Sequence, residues 1–136
     1  MGQQAKQSEW KEQWTLLRDQ ERFLFEEWIY PNRLEDWRGK TVLDCGCGGG
    51  QHVDFSAGTA ARVVGVDLNT SELARERNRH HPNVELVEGD IATFAAPELF
   101  DVVYCIGVIH HTDDPDATFA NLVKLCKPGG RLMVWC

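Results

Sequence analysis

The residues best suited to chemistry stand where apolar runs end. Asp44 leads into Gly46-Cys47-Gly48-Gly49-Gly50, five residues of which four are glycine. Without Cβ atoms such a segment lets a ligand lie against the backbone and lets the chain turn tightly into a helix. Glycine turns also serve plain strand-to-helix packing, so the loop alone defines no site. Asp67 closes the next apolar run, 19 residues after Gly48. That is the place and spacing for a carboxylate that accepts hydrogen bonds from two vicinal ribose hydroxyls, although a lone aspartate there could equally cap a helix. Loop and carboxylate together point to an adenosine-type ligand. Asp90 follows a third run, and His110 and His111 follow a fourth. An imidazole at such a junction could take a proton from an attacking oxygen or nitrogen; the alternative is that both histidines cap loops and pack on the next helix.

Details of the loop distinguish among adenosine ligands. A dinucleotide fingerprint beginning at Gly46 needs glycine at position 51, where the chain has Gln51. Asp44 lies two residues before the glycines, uncomfortably near a pyrophosphate but comfortably near a ligand with an ammonium group and a sulfonium. S-adenosylmethionine carries both. An NAD-dependent oxidoreductase is the less favoured alternative, and a non-catalytic module that binds the same cofactor is another. Cys45, Cys47 and His52 match no zinc framework, so no metal is expected.

The elements that must position these residues follow from pattern and punctuation. Ser8 to Tyr30 is rich in Trp, Leu, Phe, Glu and Arg, with Trp10, Trp14, Leu17, Leu24 and Trp28 at helical steps. This predicts an amphipathic helical arm ended near Pro31, either docked on the sheet or covering an apolar substrate. Short apolar strands are expected at Thr41 to Cys45, Arg62 to Asp67, Val84 to Glu88, Phe100 to Ile106 and Arg131 to Trp135. Asn69-Thr70-Ser71-Glu72 reads as the start of a helix running to about His80. Asp114 and Pro115 open another, with Phe119, Leu122, Val123 and Cys126 as its apolar stripe and Lys127 to Gly130 as the turn after it. Strands apolar on both faces, alternating with helices, predict an α/β fold: a doubly wound parallel sheet with helices on both sides.

With 136 residues and 43% hydrophobic content, one globular core is available and a second substrate domain does not fit. The longest apolar run, Val102 to Ile109, has eight residues against roughly 18 to 20 for a membrane span. No signal core precedes it, so a cytoplasmic protein without membrane association is expected. Fourteen basic against 21 acidic residues give a formal net charge of −7, which disfavours nucleic acid as a partner. The local cluster Arg75, Arg77, Arg79, His80 and His81 is expected to complement a helix end and face water. Five cysteines, with Cys45, Cys105 and Cys136 inside apolar runs, read as reduced core residues.

Five segments in order carry a family resemblance: Val42 to Gly50, Val64 to Asn69, Glu88 to Ile91, Phe100 to Cys105 and Leu125 to Leu132. They resemble the successive motifs of Rossmann-like S-adenosylmethionine-dependent methyltransferases. His110-His111-x-x-Asp114-Pro115 narrows the likeness to the small-molecule, ubiquinone/menaquinone-biosynthesis-like type 11 branch. Residues 41 to 136 would form the cofactor domain, with residues 1 to 40 as an arm outside it. The resemblance implies strand order 3-2-1-4-5 and methyl transfer to a small-molecule acceptor. It places Gly46, Gly48, Gly50 and neighbouring backbone on the methionine portion, Asp67 on the ribose, Leu68 on the adenine face, and Asp90 on the adenine amino group with Ile91 beside the ring. Cys105 to Val108 would floor the site beneath the methyl. The family's sheet normally continues with further strands, so a truncated sheet is expected, able to form a homodimer through the edge at Arg131 to Trp135.

Overall fold

The computed structural model describes the backbone of residues 2–136 and the side chains from residue 16 onward. The apolar runs become β1 (Thr41–Cys45), β2 (Arg62–Asp67), β3 (Val84–Glu88), β4 (Phe100–Ile106) and β5 (Cys126–Trp135). The helices are α1 (Gly2–Ile29), α2 (Gln51–Ala57), α3 (Glu72–Asn78) and α4 (Pro115–Leu125). All strand pairs are parallel, in the order β3-β2-β1-β4-β5. Placing β1 at the centre makes the chain reverse direction across the sheet between β1 and β4. This leaves a crevice at their carboxyl ends, where open α/β sheets take ligands.

Successive strand residues point to opposite faces, and in β1, β2 and β4 both faces are covered. Val42, Val63, Val102 and Tyr104 pack with Phe25, Ile29, Leu34, Trp37 and Val53 on one side. Leu43, Cys45, Val64, Val66, Val103 and Cys105 pack with Leu122, Leu125 and Ile91 on the other. A strand buried on both faces has no polar alternation to show, which is why these runs read as continuously apolar. Phe25, Ile29, Leu34 and Trp37, all before residue 40, share the first cluster with the sheet. Among the described residues no helix is long and apolar enough to cross a membrane.

The helix caps follow the sequence. Ser71 accepts the N–H of Ala74 at 3.0 Å and Asp114 accepts that of Ala117 at 3.0 Å. The helix faces differ from the expected stripes. In α4 the buried residues are Thr118, Leu122 and Leu125, and Phe119 and Val123 lie about half exposed. In α1 Leu17 and Leu24 are exposed while Phe25 and Ile29 are wholly buried; Trp10 and Trp14 lie outside the described side chains. Spacing alone cannot choose between two adjacent apolar stripes, and contact with the sheet does.

Cys126 belongs to β5, not to the helix. The pairing runs Phe100 with Cys126 and then Val102 with Arg131, so Lys127 to Gly130 form an irregularity within the strand. Cys136 is exposed, not a core residue.

Candidate functional site

The carboxyl ends of β1, β2 and β3 deliver Gly46, Asp67 with Leu68, and Gly89 with Asp90 to one cavity of about 310 Å³. Val108, His111, Thr112 and Asp114, from the segment after β4, close its other side, and Ile91 lies along it. A larger cavity of about 580 Å³ opens between Trp37, Lys40, Asp101 and Arg131. It lies at the amino ends of the strands and contains none of the expected site residues, so the smaller cavity is the candidate.

The glycine loop is shaped by backbone geometry. Gly46 and Cys47 both donate to the carbonyl of Val66, at 2.7 and 3.1 Å, which ties the loop to the end of β2. Gly46 has φ +87°, and a Cβ there would stand 2.7 Å from a Val108 methyl. Gly48, with φ +49°, faces open space instead. Its N–H donates to Asp67 Oδ2 at 2.9 Å, and that of Asn69 donates to Oδ1 at 3.1 Å. Asp67 is thereby fixed at the cavity wall. A carboxylate has about four lone-pair sites, so two backbone donors leave acceptor capacity for a ligand. Asp90 is held likewise, its Oδ1 accepting from Ala92 N at 2.9 Å. Leu68 lies largely exposed at the rim while Ile91 is buried.

The remaining predicted residues are not on the cavity wall. Gly50 turns toward α3: a Cβ there would stand 2.7 Å from Asn78 Nδ2 and 2.9 Å from the Ala74 Cα. Asn78, itself buried, donates to the Gly50 carbonyl at 3.0 Å, so this glycine serves helix packing. Cys105 is fully buried in the core beneath α4, and burial pushes its thiol up to about 12. His110 lies outside the cavity lining, although its ring centroid is 3.9 Å from that of His111. The basic residues after Glu72 do not all face water: His81 Nε2 lies 2.7 Å from Asp54 Oδ1, and only 16% of its side chain is exposed.

Asp44 is buried behind the loop, level with Tyr104 on the neighbouring strand. Its Oδ2 has no hydrogen-bond partner. Burial pushes its carboxyl up to about 7, opposed by the Tyr104 hydroxyl and assisted by the charge of Asp67. The Tyr104 hydroxyl lies 3.0 Å from Ser56 Oγ, so a polar pocket is buried at this point of an otherwise apolar face. Sequence reasoning missed Asn78, Tyr104 and Ser56, because each acts across a packing contact with a residue at least 28 positions away.

Residues 43–134 match the type 11 methyltransferase domain over two thirds of the chain. The chain belongs to this methyltransferase family. The chain is 39% identical over 97 residues to a ubiquinone biosynthesis O-methyltransferase from Thiobacillus denitrificans, an alignment covering 68% of this chain and 42% of that protein. Against the enzyme of the same name from Paracidovorax citrulli it is 34% identical over 139 residues, covering 93% of this chain and 57% of the relative. Among solved structures it resembles the N-methyltransferase NodS from Bradyrhizobium japonicum in complex with S-adenosyl-L-homocysteine. That likeness has a TM-score of 0.69 at 25% identity, over 75% of this chain and 56% of NodS. The chain thus spans about half the length of the curated relatives it matches. Its sheet order is that of the Rossmann-like methyltransferase fold.

Proposed function

We propose that the methyltransferase chain binds S-adenosylmethionine in the cavity at the carboxyl ends of β1 to β3 and transfers its methyl group to an oxygen of a small-molecule acceptor. The observation that carries this reading is Asp67, a carboxylate pinned at the cavity wall by two backbone N–H groups with acceptor capacity to spare. The choice of oxygen as the acceptor atom follows the O-methyltransferase names of the relatives.

The charge of Asp44, buried behind the glycine loop with one oxygen unpartnered, would favour the cofactor's ammonium group on the cavity side of that loop, and a cation there would stabilise the buried carboxylate. Asp67 would hold the ribose hydroxyls, Leu68 and Ile91 the adenine ring, and Asp90 its amino group. Bound there, the cofactor supplies a methyl group activated on sulfonium, with a neutral thioether as leaving group. The protein's own task is then alignment of the acceptor and exclusion of water. Gly46 and Val108 shape the wall, and His111, which lines it, would take the acceptor's proton.

Calorimetry with S-adenosylmethionine tests the cofactor assignment. Asp67→Ala is expected to weaken binding by at least about tenfold, because hydrogen bonds to a charged group contribute roughly 1.5 to 3 kcal/mol. Equal affinities in parent and variant would remove Asp67 from the site.

The two histidines should separate in a methyl-transfer assay with phenolic acceptors at saturating cofactor. His111→Ala is expected to lower the rate by about a hundredfold with cofactor affinity unchanged, in the range of general base catalysis. His110→Ala should stay within about twofold of the parent, far below the effect expected of a lost general base. A His111 variant of undiminished rate would leave the acceptor deprotonated by other means.

A further inference from the structure

On the flank of the sheet away from the cavity, three helices bring together residues that the methyl-transfer reading leaves unused. Asp54 stands on α2 with its carboxylate only 5% exposed. His80 and His81 follow α3, their ring centroids 4.0 Å apart. Nε2 of His81 lies 2.7 Å from Asp54 Oδ1, and Nε2 of His80 lies 4.0 Å from the same oxygen. From α1, Arg18 donates to Asp54 Oδ2 through Nη2 at 3.0 Å and Nε at 3.3 Å.

We propose that Asp54, His80 and His81 form a binding site for a divalent cation of the zinc class. One potential ligand atom from each residue lies within 4.8 Å of the others. Tetrahedral zinc with bonds of about 2.0 to 2.1 Å sets its ligand atoms roughly 3.3 Å apart. The 2.7 Å pair must open slightly and the 4.0 Å pair close slightly, both within side-chain motion. Two imidazoles and one carboxylate select zinc, cobalt or nickel over magnesium or calcium, which prefer all-oxygen sites. The His80 side chain is 66% exposed, so the remaining coordination position opens to water.

A simple ion-pair network accounts for Arg18, Asp54 and His81 but gives no role to the second imidazole converging on the same oxygen. Arg18 occupies Oδ2 and leaves Oδ1 to the cation, orienting the carboxylate as outer-sphere partners of metal ligands do. As a like charge it also weakens the site. A carboxylate only accepts, so His81 Nε2 carries the proton in the present pairing; on cation binding that proton moves to Nδ1 or leaves to solvent. The bound ion would link α2 to the end of α3, beside the contact between Gly50 and Asn78 that holds the glycine loop.

The test uses tag-free, metal-free full chain carrying Cys136→Ser, because the exposed Cys136 thiol is itself a zinc ligand. Zinc chloride is titrated calorimetrically, and cobalt chloride is followed by visible absorption. The expected result is one saturable zinc site in the micromolar range or tighter, with cobalt bands of nitrogen and oxygen ligation and no sulfur-to-cobalt charge transfer. His80→Gln changes an exposed side chain and is expected to lower zinc affinity at least about tenfold with an unchanged melting temperature in the absence of metal. Absence of saturable zinc binding, unchanged affinity in His80→Gln, or a cobalt–thiolate band would each overturn the proposal.

Discussion

Asp44→Asn is expected to melt well above the parent at pH 8 and to bind S-adenosylmethionine at least about tenfold more weakly. The Asp44 carboxyl is buried with one oxygen unpartnered, and desolvation raises it from the ordinary value of 3.8 to about 7. A folded-state pKa above the unfolded one means that the folded protein holds this proton more tightly. The stability it contributes is complete below pH 4 and is lost progressively as the pH rises to about 7. A gap of about three pKa units corresponds to roughly 4 kcal/mol, as an order of magnitude. Asparagine does not titrate, so at pH 4 the two proteins should melt at similar temperatures and at pH 8 the variant should be higher by several degrees or more. The same substitution removes the negative charge offered to the cofactor's ammonium group, so affinity falls as stability rises. Melting curves at the two pH values, paired with calorimetry at pH 8, decide it. Parallel pH dependences in parent and variant would mean that Asp44 is not the group carrying this cost.

Gly46→Ala should destabilise the fold by about 2 to 5 kcal/mol, and the loss should be partly recovered in the double variant Gly46→Ala/Val108→Ala. Two costs combine. The backbone at Gly46 has φ +87°, a region where an L side chain is strained by roughly 1 to 2 kcal/mol. The new methyl also meets Val108, whose Cγ2, Cγ1 and Cβ lie 2.7, 2.8 and 3.0 Å from the ideal Cβ position, and such overpacking costs about 1 to 3 kcal/mol. Shortening Val108 relieves the second cost and leaves the first, so urea unfolding should give a strongly non-additive cycle. Both residues line the cavity, and cofactor binding should fall even in the partly rescued variant. Additive effects would show that Val108 moves aside without penalty and that backbone strain alone decides the loss.

The strands, their parallel order and the junction residues Gly46, Asp67 and Asp90 were legible in the sequence because they depend on local signals. Apolar runs with glycine or carboxylate endings are written contiguously, and right-handed crossovers leave little freedom in ordering five parallel strands. The helix caps at Ser71 and Asp114 are local in the same way. What the sequence could not express is which neighbour each side chain finds. His110 and His111 are equivalent as letters, yet only His111 lines the cavity, because the 3-10 turn Ile109–His111 aims adjacent residues in different directions. Gly48 and Gly50 belong to one glycine run, but the first supports Asp67 and the second makes room for α3. The apolar stripes of α1 and α4 shifted to Phe25 and Ile29, and to Thr118, Leu122 and Leu125, because a helix with two candidate faces is settled by the surface it packs against. Asp54 and His81 stand 27 residues apart on separate elements and meet only once α2 and α3 pack side by side. Burial decided the rest: Asp44 is an ordinary carboxylate in the chain and becomes one raised to about 7 only after the sheet and its helices exclude water from it.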